Sequence, residues 1–405
     1  MALMPVADAL AKVLDGASPL SAETTSLGEA LGRVLAADIA ATRTQPPADV
    51  SAMDGYAVRA ADVTAAPVTL KVIGEVAAGR PYEGRVGKDE AARIFTGGML
   101  PEGADTIVIQ EDTKRDGDNV VIGIIGKKGR HVRAKGIDFT KGDVLLKKGR
   151  RLSGRDVMLA ATMNHANLNV HRRPRVAILG TGDELVMPGS EPGPGEIVYS
   201  NGFAIAAMAR EEGADVIDLG IARDNLDDTI AAIRRARESG ADILVTTGGA
   251  SVGDYDLVQK ALAAEGLKMS FWKVALRPGR PMMHGKLGAM QVLGLPGNPV
   301  SAYVCGFLFL VPLIRRLAGN NETAHAPESA VLGSALAAND ERADYLRAVL
   351  APPREPGGLP VATPVAVQDS SLMAALAKAH CLLVREPFAP PAAAGSPCVI
   401  LKLRL

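Results

Sequence analysis

The spacing of apolar positions changes along the chain, and each change predicts a different kind of element. The first segment carries an apolar stripe at helical spacing, formed by Val6, Leu10, Val13 and Leu14. Ser26 and Glu29 have the spacing of a capping box and predict a second helix before the proline break at Gln45–Pro47. We therefore expect residues 1–44 to be largely helical.

Residues 45–138 have a different pattern, in which short β-branched runs are separated by glycines. The runs are VTLKVIGEV, ARIFTG, DTIVIQ and NVVIGII, and the DGDN sequence at Asp116–Asn119 is typical of a hairpin turn. This pattern predicts an all-β insert. A helix capped by Ser153 follows, so residues 139–173 and 1–44 are predicted to form one discontinuous linker domain with helical and extended parts.

From residue 174 to about residue 320, runs typical of strands alternate with amphipathic runs typical of helices. Such alternation indicates a doubly wound parallel sheet with helices on both faces. Residues 321–405 are rich in Ala and Pro and contain short strand-like runs such as DYLRAVLA and CVILKLRL, which predict a small C-terminal β domain. The predicted fold class is a multi-domain α/β plus β protein.

Composition and charge exclude several classes of function. The chain has 405 residues with 45 Lys and Arg against 45 Asp and Glu, so several domains are expected and binding to nucleic acid or a membrane surface is not. Three separated cysteines without CxxC spacing predict reduced thiols. No secretory signal is apparent, and the most apolar run, Val300–Ile314, has about 15 residues where a spanning helix needs roughly 20. We expect a cytoplasmic protein.

Candidate chemistry lies where the predicted strands end, because open α/β sheets bind ligands outside the carboxyl ends of their strands. The first such end is followed by Glu184. A later glycine-rich loop contributes Gly248, Gly249, Ser251 and Asp256, and the RPGRP and GLPGNP loops contribute Arg277, Arg280, Pro296 and Pro299. Glycine N–H groups and arginines bind oxyanions, and carboxylates bind hard divalent cations. Any one of these motifs is more often a turn or a helix cap, but four in one sheet predict a phosphate-bearing ligand with a metal ion.

The β insert contributes a further candidate in SAMDGYAVR, where Asp54 lies in a turn of small residues. A lone MDGY sequence is as often a plain β-turn as part of a site.

Taken in order, the motifs resemble those of the molybdopterin molybdenumtransferase family, called MoeA in bacteria and represented in animals by the E domain of gephyrin. They are SAMDGYAVR, RIFTGGMLPEGAD, RAKGIDFTKGD, LGTGDELV, SNG, TTGGASVGDYD, FWKVALRPGRP and GLPGNPVSA, within residues 5–317. The resemblance implies insertion of molybdate into the dithiolene of adenylylated molybdopterin with loss of AMP. It also implies an α/β domain similar to the molybdopterin adenylyltransferase, and a homodimer whose active cleft takes residues from both subunits.

The resemblance also implies which residues function. Catalytic positions fall on Asp54, Thr96, Asp138, Glu184, Asp224 and Asp256, and substrate-binding positions on Lys273, Arg277, Arg280, Pro296, Pro299, Arg347 and Ser370. Because the substrate is a polyanion and molybdate a dianion, we expect Lys273, Arg277 and Arg280 to bind oxyanions. Glu184 and Asp256 are expected to hold Mg²⁺. Asp54 and Asp138 are expected to face the cleft of the partner subunit.

The chain departs from the family pattern in two places. RPGRP replaces the usual KPGKP, which exchanges two compact ammonium groups for planar guanidinium groups. In the C-terminal domain, Gln368–Ser371 replaces the usual glycine-serine, alanines stand at 374 and 375 where serine is frequent, and His380 stands where asparagine is common.

The sequence leaves three alternatives open. One is a paralogue that inserts tungstate or acts on a modified pterin. Another is a binding or scaffold protein that kept the fold without turnover, and the third is a generic nucleotide-binding module. Whether a molybdopterin adenylyltransferase docks to hand over the labile intermediate is also open.

Overall fold

The structure is a computed structural model that describes residues 3–248, 257–353 and 355–403 of the chain. Within these ranges the chain forms three six-stranded sheets, several two-stranded pairings and eight helices. The multi-domain α/β plus β architecture predicted from the sequence is confirmed.

The N-terminal segment contains one helix and two short strands. They are α1 (Val6–Leu14), β1 (Ala22–Ser26) and β2 (Ile39–Ala40). The expected second helix is absent from this described segment, because Ser26 ends β1 and only a single 3-10 turn, Leu27–Glu29, follows it. β1 pairs along its whole length with residues 167–171, so long-range strand pairing overrides the local capping signal.

The insert is an all-β structure, as expected. Its strands are β3 (Val50–Ser51), β4 (Gly55–Val58), β5 (Val68–Val76), β6 (Glu90–Ile94), β7 (Thr106–Ile109), β8 (Thr113–Asp116), β9 (Asn119–Ile122) and β10 (Val132–Arg133). Six of them form a sheet in the order β7-β4-β6-β5-β9-β8. The predicted hairpin turn connects β8 and β9. Apolar side chains pack on both sides of this sheet, so the insert has a core of its own.

After the insert the chain returns to the N-terminal segment. The returning elements are β11 (Val144–Leu146), α2 (Gly154–Thr162) and β12 (Asn167–His171). α2 begins with a capping box, in which the Ser153 hydroxyl accepts from the Asp156 N–H and the Asp156 carboxylate accepts from the Ser153 N–H at 2.8 Å. β12 pairs with β1 and β11 with β2, and the two parts of the chain share one apolar cluster.

The α/β domain carries the central sheet. Its strands are β13 (Arg175–Thr181), β14 (Leu185–Val186), β15 (Ile197–Val198), β16 (Asp215–Ala222), β17 (Ile243–Thr247), β18 (Lys268–Trp272), β19 (Leu276–Arg277), β20 (Met283–Leu287) and β21 (Met290–Leu295). Its helices are α3 (Asn201–Glu211), α4 (Leu226–Glu238), α5 (Leu257–Ala264), α6 (Pro299–Cys305) and α7 (Val311–Leu317).

The central sheet is doubly wound, as predicted, with one antiparallel strand. Its order is β16-β13-β17-β21-β20-β18, in which β16, β13, β17 and β21 are parallel and β20 runs against its neighbours. One face packs on α3 and α6, and the other on α4 and α5. FWKVAL is not one strand, because β18 ends at Trp272 and the chain then leaves this sheet as β19.

One apolar helix of the α/β domain is longer than the sequence pattern suggested. α6, a π-helical segment at Gly306–Leu310 and α7 form a continuous helix of 19 residues with a mean hydropathy of 1.6. Its length and composition meet the requirement for a membrane span, so the expectation of a run too short to span was wrong. However, 83% of its most apolar 18-residue window is buried inside the protein, where the helix packs against α1 and α3.

The C-terminal domain is a small β-barrel. Its elements are β22 (Glu328–Leu332), β23 (Ala343–Ala351), β24 (Val361–Pro364), α8 (Met373–Ala377), β25 (Cys381–Arg385) and β26 (Pro397–Lys402). The sheet order is β19-β23-β24-β22-β26-β25, and an additional pairing of β23 with β25 closes the ring. β19 therefore adds a strand from the α/β domain to the barrel, which fixes the two domains to each other.

A buried carboxylate joins the linker domain to the α/β domain. Glu212 pairs with Arg315 of α7 at 2.8 Å and with Arg151, just before α2, at 3.2 Å. Breaking a buried ion pair from one side costs about 3–5 kcal/mol, because the remaining charge stays desolvated. Glu212 thus keeps the linker domain in a fixed position relative to the sheet.

Candidate functional site

A cavity of about 640 Å³ opens at the carboxyl ends of the parallel strands. Its wall combines strand ends, connecting loops, the start of α3 and one residue of the C-terminal domain. The strand ends and the loops after them contribute Thr181, Glu184, Asp224, Thr247, Gly248, Pro296 and Pro299, the start of α3 contributes Tyr199 and Asn201, and the C-terminal domain contributes Ser371. This volume lies in the range of small-molecule and cofactor sites. The edge of the sheet at which the sequence predicted a ligand site is therefore concave.

Two predicted carboxylates, Glu184 and Asp224, lie in the wall of this cavity. They follow the adjacent strands β13 and β16, whose ends are held together by hydrogen bonds between Asp183 and Asp224. The Asp224 N–H donates to the Asp183 carboxylate at 3.0 Å, and the Asp183 N–H donates to the Asp224 carboxylate at 3.3 Å. The Glu184 carbonyl accepts from the Ile197 N–H at 2.7 Å, which fixes the loop that carries Glu184.

The metal site predicted from the sequence is described only in part. Asp256, Gly249 and Ser251 lie outside the described residues. In the part of the chain that the structure describes, no three His, Cys, Asp or Glu side chains cluster as metal ligands. The carboxylates of Glu184 and Asp224 are hard oxygen donors, and Mg²⁺ is usually bound by one or two carboxylates together with water and substrate phosphates. The donor set present in the cavity wall therefore fits Mg²⁺.

Tyr199 and Asn201 are functional candidates that the sequence reasoning did not single out, although SNG was among the recognised motifs. The Tyr199 ring is buried against Gly180 and Gly202, and burial raises the pKa of its hydroxyl. The Asn201 side chain donates to the Gly297 carbonyl at 2.7 Å and so joins the start of α3 to the loop after β21. A polar run between a short strand and a helix start was the signal for these residues.

The C-terminal domain reaches the cavity through residues 368–371. The Val300 N–H donates to the Ser370 carbonyl at 3.0 Å, the Asn298 side chain donates to the Ser370 hydroxyl at 3.1 Å, and Ser371 lies in the cavity wall. The Arg347 side chain stabilises this segment by hydrogen bonds.

Arg347 is fully buried, and burial lowers the pKa of its guanidinium. The guanidinium donates to the Asp369 carbonyl at 2.8 Å and to the Gln368 side chain at 3.2 Å. Gln368, one of the departures from the family pattern, therefore acts as a partner of Arg347.

The three predicted cations do not lie in the cavity wall. Lys273 follows β18 with a φ of 74°, and its ammonium lies 4.1 Å from the centroid of the Trp272 ring. Arg280 is exposed, and Pro281 after it contacts the cavity. The chain leaves the central sheet after Trp272, and oxyanion binding by these cations stays a prediction from the sequence.

Arg277 is engaged by the C-terminal domain. Because β19 pairs with β23, the Arg277 guanidinium lies opposite Asp344 and donates to both of its carboxylate oxygens, from Nε at 2.7 Å and from Nη2. It also donates to Asp340 at 2.9 Å and to Asn339 at 3.0 Å. The side chain is directed at the C-terminal domain, and direct oxyanion binding by Arg277 stays a prediction from the sequence.

Asp54 and Thr96 form a hydrogen-bonded pair on the surface of the β insert. Both the N–H and the hydroxyl of Thr96 donate to the same Asp54 carboxylate oxygen, each at 2.7 Å. The pKa of the Asp54 carboxyl is lowered by the hydrogen bond from the Thr96 N–H, by the one from the Thr96 hydroxyl and by the charge of Arg93, in that order. The structure thus brings together two residues predicted separately.

Asp138 lies apart from this pair in the described chain. It is exposed, and its N–H donates to the Gln45 carbonyl at 3.1 Å where the insert begins and ends. Asp54, Thr96 and Asp138 are all absent from the wall of the cavity as described.

Comparison with known proteins covers nearly the whole chain. Residues 4–164 match the MoeA N-terminal region (domain I and II), residues 177–316 match a probable molybdopterin binding domain, and residues 329–403 match the MoeA C-terminal region (domain IV). The molybdopterin molybdenumtransferase of Haemophilus influenzae is 36% identical over 370 residues, which is 91% of this chain and 90% of that protein. That of Bacillus subtilis is 36% identical over 390 residues, 94% of this chain and 90% of that protein.

Solved structures show the same architecture. The molybdopterin biosynthesis MoeA protein of Pyrococcus horikoshii OT3 superposes with a TM-score of 0.84 at 27% identity, covering 99% of this chain and 100% of that one. A second crystal structure of a molybdopterin biosynthesis MoeA protein from Pyrococcus gives a TM-score of 0.82 at 32% identity, with 100% of both chains covered.

Proposed function

The chain belongs to the MoeA family of molybdopterin molybdenumtransferases, and from this premise we propose that it inserts molybdate into the dithiolene of adenylylated molybdopterin and releases AMP. The observation that carries the proposal is the 640 Å³ cavity at the strand ends, with Glu184 and Asp224 in its wall. The match of all three family regions in order supports the proposal.

The cavity suits a large anionic ligand. Helix α3 begins at its wall, so backbone N–H groups and the positive end of the helix dipole are available to a phosphate. The loop after β21, held to α3 by Asn201, adds Pro296 and Pro299 at the same wall. In this proposal, the α/β domain binds the adenylylated pterin.

A divalent cation completes the site, because two carboxylates in a cavity for a polyanion need a positive charge between them and the substrate. We assign Mg²⁺ to Glu184 and Asp256, with Asp224 as a further oxygen donor. When bound, Mg²⁺ neutralises charge on the phosphoanhydride and polarises its P–O bond. Glu184 and Asp224, which follow β13 and β16 in the cavity wall, would be the Mg²⁺ ligands among the described residues.

The oxyanion is recognised on the side of the C-terminal domain. Lys273 is half-buried and Arg280 is exposed, and Arg280 directly precedes Pro281, which contacts the cavity. Arg347 orders the segment containing Ser370 by binding the Asp369 carbonyl. Arg277 acts indirectly by holding β23, which carries Arg347, against the α/β domain. Molybdate then reaches the dithiolene from this side of the cavity.

The active protein is a homodimer with shared clefts. Asp54, Thr96 and Asp138 are predicted catalytic residues, yet the cavity wall of their own chain is formed by the α/β and C-terminal domains. A second copy of the chain brings the Asp54–Thr96 pair to the cavity. Each dimer then has two equivalent clefts, as two-fold symmetry requires.

We further assign the protein to the cytoplasm, supported by free thiols at Cys305, Cys381 and Cys398. A molybdopterin adenylyltransferase is the partner that supplies the substrate.

The test is AMP release from adenylylated molybdopterin by the purified protein with Mg²⁺, with and without molybdate, and with tungstate in a parallel reaction. Molybdate-stimulated release with formation of molybdenum cofactor supports the proposal. Stimulation by tungstate alone would identify the tungstate-inserting paralogue. Tight binding without release under either oxyanion would indicate a binding or scaffold protein.

A further inference from the structure

Arg93 lies beside the turn that carries Asp54, and it is the first residue of the RIFTGGMLPEGAD motif, in which only Thr96 has been given a role. It stands on β6 directly opposite Tyr56 of β4 and is half-buried. The Asp54 turn immediately precedes β4, and the Thr96 turn follows β6. Arg93 therefore lies between the two backbone segments that supply the members of the Asp54–Thr96 pair.

The guanidinium of Arg93 is bonded to the backbone on one side of the pair. Its Nη1 donates to the Gly55 carbonyl at 3.2 Å, and Gly55 is the residue after Asp54. Its Nη2 donates to the side-chain oxygen of Gln110 at 2.8 Å. The Gln110 N–H in turn donates to the Asp54 carbonyl at 3.0 Å. Arg93 thus holds the residue after Asp54 and also the residue that binds the Asp54 carbonyl.

The same guanidinium packs against the other side of the pair. Its central carbon lies 4.8 Å from the centroid of the Phe95 ring and 5.2 Å from that of the Tyr56 ring. Phe95 immediately precedes Thr96, whose N–H and hydroxyl bind the Asp54 carboxylate. A planar cation is attracted to aromatic rings and can donate from its edge at the same time, which a lysine ammonium does less well.

We propose that Arg93 is a positioning residue for the reaction, which holds Asp54 and Thr96 in one fixed geometry by binding Gly55 and Gln110 and packing on Tyr56 and Phe95. The inference rests on the proposed function, in which the Asp54–Thr96 pair faces the cleft of a second subunit. A carboxylate presented on a surface turn must be held in place by its own domain, because the substrate lies on another subunit. Arg93 supplies that restraint together with a positive charge beside Asp54.

The kinetic test is a double-mutant cycle with Arg93→Met and Asp54→Asn, measured as AMP release. Misplacing a catalytic group costs up to about 100-fold, and we expect Arg93→Met to lower kcat about tenfold with KM for adenylylated molybdopterin changed less than about twofold. Arg93→Lys recovers part of this loss. The double variant is expected to be no slower than Asp54→Asn alone, because Arg93 acts through Asp54. Losses that multiply in the double variant would overturn the proposal.

A second readout does not depend on turnover. Hydrogen exchange of the peptide covering residues 94–98 reports the Thr96 N–H bond to Asp54. We expect exchange at this peptide to accelerate several-fold in Arg93→Met and less in Arg93→Lys. The matched control is Arg115→Met on β8 of the same sheet, since Arg115 is exposed and its Nε donates to the Gly117 carbonyl at 2.6 Å.

AMP release and hydrogen exchange together distinguish failure of the proposed function from failure of the positioning role of Arg93. If the wild-type protein releases no AMP, the proposed function fails, and the exchange experiment still decides whether Arg93 orders the turn. If the wild-type protein is active and exchange at residues 94–98 is the same in Arg93→Met as in Arg115→Met, the positioning role is wrong. If Arg93→Met does not fold, both measurements are made on Arg93→Lys instead.

Discussion

The cavity of the α/β domain and the Asp54–Thr96 turn of the β insert present their carboxylates in different ways. The cavity is assembled from the ends of several strands and from a loop of the C-terminal domain, so its wall surrounds a concave space. The turn lies on the surface of one sheet, where Asp54 is half-buried and Thr96 exposed. A group presented in this way reaches substrate only if another surface faces it. The comparison therefore indicates that the cavity binds the ligand and that the Asp54–Thr96 turn acts on a ligand bound by another surface.

The largest effect is expected in the cavity. Glu184→Gln removes a carboxylate assigned to the metal, and we expect AMP release to fall about 10²–10³-fold, as for the loss of other groups that stabilise developing charge. Glu191→Gln in the same loop is the control, because Glu191 is exposed and lies outside the cavity wall as described. Turnover of Glu184→Gln within about twofold of the wild type would remove Glu184 from the chemistry.

A smaller kinetic effect is expected in the insert. Asp54→Asn keeps an oxygen acceptor for Thr96 and loses the charge, so we expect AMP release to fall about 10–100-fold while binding of adenylylated molybdopterin is unchanged. Asp118→Asn, at the exposed hairpin of the same insert, is the control. Weaker binding of adenylylated molybdopterin by the Asp54→Asn protein than by the wild type would contradict the division between the two regions.

The two regions also differ in how they tolerate an added methyl group. A Cβ at Gly55 would lie 2.0 Å from the Val108 carbonyl oxygen, which is fixed by the β4–β7 pairing. A Cβ at Gly202 would lie 2.0 Å from the Tyr199 hydroxyl, which is the end of a side chain and not part of the backbone. We expect Gly55→Ala to lower the free energy of unfolding of the insert by about 3 kcal/mol and Gly202→Ala to lower that of the α/β domain by about 1 kcal/mol.

Urea titration with limited proteolysis of each region measures this difference. Equal destabilisation by the two substitutions would show that the Tyr199 side chain is held as rigidly as the backbone of the insert.

The smallest expected effect is the dependence of the Asp54–Thr96 pair on pH. The Thr96 bonds lower the pKa of the Asp54 carboxyl below its ordinary value of 3.8. The pair is therefore fully formed above that ordinary value and is lost as the pH falls through the lower pKa of the folded protein. Between about pH 5 and pH 8, Asp54 stays ionised and gives no inflection in the rate. A carboxyl ¹³C titration of Asp54 tests this, and a midpoint at or above 3.8 would contradict it.

The parts of the fold that depend on neighbouring residues could be predicted from the sequence. The Ser153 capping box and the hairpin at Asp116–Asn119 each involve residues within three positions of one another, and both are present. Ser26 carries a similar local signal but pairs with Asn167 in a sheet, which no local pattern indicates. Glu184 is expected at the end of a parallel strand, where open α/β sheets bind ligands, whereas Asp224 is expected only from the family resemblance.

The rest of the candidate site depends on contacts between distant segments. Arg277 binds Asp344, 67 positions further along the chain, because a two-residue strand joins the C-terminal barrel. Arg93 acquires its partners from β4 and from Gln110, so its contacts exist only after the sheet of the insert has formed. Both arginines belong to recognised motifs, but the motifs do not indicate which distant residues their guanidinium groups bind.

The most direct test of the shared cleft is subunit complementation. Asp54→Asn and Glu184→Gln subunits, each impaired alone, are co-expressed with different affinity tags and the mixed dimer is purified. If the cavity of one subunit works with the Asp54 turn of the other, the mixed dimer has one intact cleft, and AMP release recovers to about half that of the wild-type dimer. If both regions act within one subunit, the mixed dimer stays as slow as its parents, and the proposal of a cleft shared between subunits is wrong.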